Sequence, residues 1–236
     1  VTGPIDRRPP ALHAPETGFA GLTTAQAEAF YDRHGARQDH QGYYATVALT
    51  ELILHAAFEQ AQAVVEVGCG TGQFAEQLLA NHLPPAATYW GGDLSAIMLR
   101  LTRQRLARFG TRVTTWKATG GAMLPLGEAS ADRFVSNYVL DLLAPEAIGR
   151  VVAEAHRILA PGGRLGLVSL TPGEQPLTKL VTALWKLRFA LRPALVGGCR
   201  PVELRPYLAP AAWKISHRRV VVGRGISSEV VVAVKR

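Results

Sequence analysis

Residues 64–72, VVEVGCGTG, constrain this chain more than any other stretch. A β-branched apolar run with Glu66 inside it leads into glycines at 68, 70 and 72, and a helical pattern follows. That order reads strand, tight turn, helix. Glycine supplies the backbone freedom such a turn needs and lets a ligand approach where a Cβ would collide. Asp93, 21 positions after Gly72 in GGDLS, falls at the end of the next expected strand. A carboxylate there accepts hydrogen bonds from both hydroxyls of a ribose. The stretch predicts a nucleoside site beyond the carboxyl ends of parallel strands.

The spacing says which kind. A dinucleotide fingerprint, G-x-G-x-x-G, needs its third glycine where this chain has Gln73, and no Gly-Lys-Ser/Thr follows to make a phosphate loop. Glu66 instead suits the cationic amino group of a ligand carrying an amino acid. Further along come ADRFVSNYVLDLL (residues 131–143) and LAPGGRLGLVSL (residues 159–170). With these four segments in order, residues 63–170 resemble the class I S-adenosylmethionine-dependent methyltransferases. The resemblance implies an α/β, Rossmann-like, doubly wound sheet of seven mostly parallel strands, the last inserted antiparallel between the fifth and sixth. It implies S-adenosyl-L-methionine as cofactor and S-adenosyl-L-homocysteine as product. Carried over residue by residue, Glu66 helps hold the methionine amino group, while Gly68, Cys69, Gly70 and Gly72 pass beside the ligand. Asp93 grips the ribose, Leu94 and Ser95 flank the adenosine, and Ala118, Thr119 and Asn137 complete the crevice. One departure stands out. The acid that the family commonly places before a Leu-Pro to read adenine is missing from KATGGAMLPL (residues 117–126), leaving backbone groups, Thr119, or packing on Ala118 and Met123.

Strands alternating with helices independently predict a parallel sheet covered on both faces. Strands are expected at residues 63–67, 88–92, 113–118, 133–139 and 164–170, and a hairpin-like pair at 216–222 and 227–234 around GRGI. Helices are expected at 23–30, 43–58, 74–83, 95–109 and 145–159, with Phe74, Leu78 and Leu79 inward on the third. On the fourth, Ile97 and Leu101 point inward and its arginines form a solvated face. His156 complements the C-terminus of the fifth.

The 236 residues, 48% hydrophobic, fit one domain at 19–236. Within it, 19–60 form a helical lid segment, 61–171 the cofactor core, 172–210 an acceptor-side cap and 211–236 the terminal strand pair. Residues 1–18, with four prolines, read as a mobile tail and neither signal peptide nor anchor. Two cysteines make neither a disulfide framework nor a metal-ligand set, so no metal is expected and a reducing cytoplasm fits.

Charge is uneven. Residues 176–236 carry 12 Lys and Arg against Glu203 and Glu229, while residues 1–175 carry 14 against 16 acids. An anionic partner and a solvated basic face both fit this asymmetry. Residues 177–191, LTKLVTALWKLRFAL, show a helical apolar stripe beside Lys179, Lys186 and Arg188. Three readings stay open for this helix: peripheral contact with an anionic membrane, a cap over a greasy substrate, or ordinary packing on the sheet. The oligomeric state is not legible.

Methyl transfer from a sulfonium is an in-line displacement, so the protein mainly aligns and desolvates. A base is needed only when the acceptor must lose a proton. Tyr31, His34, Tyr43 and Asp141 are the leading catalytic candidates, with Asp39, His40 and Tyr44 nearby in the lid. Tyr138, Trp185 and Arg200 are acceptor-side candidates, Arg200 as a clamp for carboxylate or phosphate. The resulting expectation is methylation of a small hydrophobic, anionic-group-bearing acceptor, quinone- or lipid-like. Phospholipid-headgroup N-methylation, nucleic-acid methylation and a non-catalytic cofactor-binding role remain as alternatives, the nucleic-acid one disfavoured because no RNA-binding module or aromatic-interleaved basic patch appears.

Overall fold

The computed structural model describes residues 21–35, 44–120 and 123–236. The expected N-terminal tail and Asp39, His40 and Tyr43 lie outside them. Seven strands form one sheet in the order β3-β2-β1-β4-β5-β7-β6: β1 (Ala63–Val67), β2 (Thr88–Asp93), β3 (Val113–Lys117), β4 (Ala131–Asn137), β5 (Leu159–Leu170), β6 (Trp213–Gly223) and β7 (Ile226–Lys235). Strands β1 to β5 pair in parallel, and β7 lies antiparallel to both β5 and β6. The expected doubly wound α/β sheet is therefore present, with its last strand inserted between β5 and β6.

Alternating side chains feed two core layers. Val64, Tyr89, Val135, Val168, Val230 and Val232 face α2 (Ala45–Ala56), α3 (Gln73–Asn81) and α4 (Ala96–Leu106). Val65, Phe134, Leu165, Leu167 and Val231 face α5 (Pro145–Ile158) together with Val202, Leu204 and Trp213. Burying each such side chain contributes about 1.5–3 kcal/mol. Phe74, Leu78 and Leu79 of α3 are buried as expected.

Four local departures have physical causes. On α4 the buried residues are Met98, Leu99, Thr102 and Leu106, while Ile97 and Leu101 are half-buried. Its arginines are not simply solvated: Arg105 donates to Thr71 and pairs with Glu76, and Arg103 donates to Thr115 Oγ1. The Pro-Gly-Gly run is a bulge inside β5, where pairing jumps from Ala131–Leu159 to Arg133–Arg164 and Gly162 takes φ +76°. The β6–β7 hairpin is longer than expected because β6 is an edge strand whose polar residues face water. Its turn, Arg224–Gly225, has positive φ at both positions, as the twist of a two-residue hairpin demands. His156 sits edge-on to Trp213 and burial lowers its pKa, so Arg157 supplies the cation at that helix end.

Helix α1 (Thr24–His34) starts with a capping box between Thr23 and Gln26 and buries no residue in a core. It is tethered at the carboxyl edge of the sheet instead. Glu28 accepts from Lys117 at 2.6 Å, and Asp32 accepts from the Ser95 hydroxyl at 2.5 Å. Helix α2 is clamped to β6 by Glu51, which meets His217 at 3.0 Å and Arg219 at 3.1 Å, with His55 stacked on His217. The hairpin tip closes this corner, since a Cβ on Gly223 would lie 2.4 Å from the Tyr44 carbonyl oxygen. Gly223→Ala is expected to destabilise the protein by about 1–3 kcal/mol, the usual cost of overpacking. Gly127→Ala, which opens onto free space, should be near neutral. Equal denaturant midpoints for the two variants would contradict this packing.

Candidate active site

Parallel register gathers the motif residues at one edge. Val67 pairs with Gly92 and Ser136, Asp93 with Lys117, and Asn137 with Val168. The glycine loop leaves β1 at this edge, and its first two amides, of Gly68 and Cys69, both donate to the Gly92 carbonyl. Gly68, Gly70 and Gly72 all have positive φ. Gly68 also has Val139 against it, where a Cβ would be 2.1 Å from a methyl carbon.

The Asp93 carboxylate braces the loop. Oδ2 accepts from the Gly70 amide and Oδ1 from the Ser95 amide, each at 2.9 Å. Burial raises its pKa, and these amide donors oppose that rise. Ser95, not Asp93, caps α4, accepting from the Met98 amide. Leu94 is half-buried beside it, and the Ala118 amide donates to the Asp93 carbonyl. Thr119 is exposed and Met123 is 74% exposed, so neither is packed in the crevice.

Glu66 is buried in the strand layer. It accepts from the Tyr89 hydroxyl at 2.6 Å and from Asn137 Nδ2 at 3.1 Å. Burial pushes its carboxyl up to about 7 despite these donors. An ionised Glu66 only accepts, so it holds the amide nitrogen of Asn137 and leaves Oδ1, buried and without a hydrogen bond among the described residues, to face a donor. Glu66 thus acts through Asn137. Cys69 contributes backbone only: its thiol is buried against Thr102, and burial pushes its pKa up. The residues fit a nucleoside carrying an amino acid. A Cβ on Gly70 would meet nothing within 4 Å, so the loop is open at its tip, and Asn137 offers an unsatisfied acceptor.

A second cluster lies at the same edge beyond β4. Asp141 is fully buried. Oδ2 accepts from the Leu170 amide at 3.3 Å, and Oδ1 has no hydrogen bond among the described residues. Burial pushes this carboxyl up to about 7, with the Arg200 charge holding it down in part. Tyr31 bonds to Cys199, and burial, then the Cys199 and Asp141 charges, raise its pKa. Tyr44 stands edge-on to Tyr138 at 5.4 Å, and the Tyr138 hydroxyl meets Ser228 Oγ at 2.9 Å. Tyr138 has φ +55°, a costly conformation for a bulky residue, and it ends β4 at Asn137.

The structure brings Tyr31, Asp141, Tyr138 and Arg200 together, while His34 and Trp185 are bonded to other groups. His34 stacks on Phe30 and bonds to its carbonyl. Trp185 donates to the Cys199 carbonyl, which anchors its helix. Arg200 donates to the Leu143 carbonyl, a local bond that competes with the expected clamp on an anionic ligand. The sequence reading missed Tyr89, Asp32, Cys199 and Ser228. Only Tyr89 left a signal, a glycine two positions on: a Cβ on Gly91 would lie 2.8 Å from the Tyr89 ring.

The raised Asp141 pKa predicts a pH dependence. An unfolded Asp titrates near ~3.9, so between there and about 7 the native state keeps a proton that the unfolded state has lost. Stability therefore falls as pH rises through that window. Asp141→Asn removes this loss, and its melting temperature should exceed that of the native protein at pH ~8 by an amount that shrinks towards pH ~5. A pH-independent difference would contradict the burial of an ionisable Asp141.

Comparison with known proteins places this geometry. A family profile described as Methyltransferase domain matches residues 64–163. The chain is 31% identical over 135 residues to a demethylmenaquinone methyltransferase of Lactiplantibacillus plantarum, covering 57% of this chain and 54% of that protein. It is 30% identical over 177 residues to a malonyl-[acyl-carrier protein] O-methyltransferase of Methylococcus capsulatus, covering 75% and 59%. The chain thus spans little more than half the length of these relatives. A crystal structure of a SAM-dependent methyltransferase from Methanosarcina mazei shares the fold, with TM-score 0.62 at 19% identity, covering 78% of this chain and 96% of that one. The matched residues 64–163 are a methyltransferase domain with the class I, S-adenosylmethionine-dependent fold, and S-adenosyl-L-methionine is the cofactor.

Proposed function

We propose that the chain methylates a small hydrophobic acceptor, quinone- or lipid-like, whose reacting atom loses a proton to Asp141. The observation that carries this reading is the buried Asp141 carboxyl with an unbonded oxygen, beside Tyr31 and Tyr138 at the edge that also holds the glycine loop. The name of one relative, a demethylmenaquinone methyltransferase, supports an acceptor with an apolar body, and that of another, a malonyl-[acyl-carrier protein] O-methyltransferase, supports one bearing an anionic group.

The cofactor, when bound, supplies a methyl group on a sulfonium. The chain's own residues do the rest. Asn137 Oδ1 accepts from the ammonium of the amino-acid end, held in place by Glu66 and Tyr89. Asp93 keeps the loop in shape and accepts from the ribose. Helix α1, within the expected lid segment, acts as the lid: its Glu28 and Asp32 tethers hold it at the adenosine side while Tyr31 reaches the acceptor side. Residues 172–210 form the acceptor-side cap, contributing Cys199 and Arg200. A carboxyl near 7 is suited to general-base work at neutral pH, where such a group contributes about 10²–10⁴-fold.

The test is methyl transfer from labelled S-adenosylmethionine to hydroquinones and phenols, with acyl carboxylates, which have no proton to lose at neutral pH, as the base-independent control. The native kcat/KM should fall below pH ~7 as Asp141 takes up its proton. Asp141→Asn should lose roughly 10²-fold or more in kcat, and this acid limb, with S-adenosylhomocysteine affinity unchanged. Full activity in that variant would remove Asp141 from the chemistry. Turnover of polar acceptors only would remove the hydrophobic assignment.

A further inference from the structure

We infer that α6 (Pro176–Leu191) is a docking face for an anionic lipid bilayer. Leu177, Leu180, Leu184, Leu187 and Leu191 recur at alternating steps of three and four, and all are between 48% and 73% exposed. This spacing puts them on one stripe of a helix about 24 Å long. The opposite side is the anchored one. Thr178 is buried against Gly173, Thr182 accepts from the Gly173 amide, and Trp185 donates to the Cys199 carbonyl. The loop residues Gly173 and Cys199 therefore hold this helix by its Thr178–Thr182–Trp185 side and leave its leucines outward, the reverse of an ordinary surface helix.

Charge identifies what covers the stripe. Lys179 and Lys186 lie on one flank, Arg188 and Arg192 on the other, all exposed. Between Glu174 and Glu203 the chain has no acidic residue. Leucines flanked by bases whose stems lie along the apolar zone and whose charges reach the headgroups match an anionic interface. A second copy of the helix matches less well. Two copies paired along the leucines would bring Arg188 with no acid to meet it, over little more than two heptads. A cleft of about 450 Å³ opens at the C-terminal end of the helix, lined by Arg33, Arg192, Phe30 and Leu22, and it extends the cationic surface there. Thr178, Thr182 and Trp185 keep one side of the helix on the protein, so the proposed contact is a peripheral one. This inference does not depend on the acceptor.

The test is co-sedimentation of the full chain with phosphatidylcholine vesicles with and without phosphatidylglycerol. Binding should require the anionic lipid, weaken roughly 10²-fold without it, and fall with added salt. Leu184→Glu and Leu187→Glu should each weaken it at least roughly tenfold. Both leucines are exposed, so melting temperature and S-adenosylhomocysteine affinity should not change. Absence of binding, or equal binding to neutral vesicles, would overturn the proposal. So would a dimer in light scattering that Leu187→Glu dissociates, which would make the face a self-association surface.

Discussion

A carboxylate buried in the middle of a parallel sheet must be bonded or give up its charge, and Glu66 is such a group. Its two partners come from the strands on either side, Tyr89 on β2 and Asn137 on β4. One side chain thereby ties three strands together next to the point where the glycine loop departs. Tyr89 fits only because Gly91 lacks a Cβ. Asn137 is held so that its unbonded oxygen remains available, and the chain then reverses at Tyr138 through a left-handed conformation. The loop, the acceptor-side segment after β4 and the orientation of Asn137 all follow from satisfying this one buried group.

Two raised carboxyls divide the work at this edge. Glu66 and Asp141 are both pushed up to about 7 by burial, yet only Asp141 keeps an oxygen without a hydrogen bond. Glu66 has both oxygens committed, so it positions. The proposed function assigns proton transfer to Asp141. Under that reading the asymmetry separates a positioning acid from a reactive one in the same fold, and the buried Asp141 costs stability at neutral pH, as reactive sites commonly do.

What the sequence disclosed was whatever depends on the backbone. The glycine loop, the alternation of strands and helices and the end of β2 at Asp93 are set by local conformational demands and apolar periodicity, both of which leave a pattern, whereas the inserted last strand is implied by the family resemblance alone. Long-range partnerships leave none. Asp32 reaching Ser95, or Tyr31 reaching Cys199, joins residues far apart in the chain whose types are common in loops. The same limit explains the Pro-Gly-Gly run, expected to lie between a helix ending at 159 and a strand starting at 164 but found as a bulge inside β5, since a connecting turn and a strand bulge use identical residues and only the partner strand distinguishes them. It also explains α6, where periodicity revealed an apolar stripe but not that Thr178 and Trp185 anchor the other side and leave the stripe in water.

The central claim is that the edge built from the glycine loop, Asp93 and Asn137 holds a nucleoside that carries an amino acid. Calorimetric titration with S-adenosylmethionine, S-adenosylhomocysteine and NAD tests it most directly. The account predicts micromolar binding of the first two and none of NAD, because only they present an ammonium to Asn137 and no pyrophosphate to the loop. Binding of NAD in place of them, or of none of the three, would contradict it.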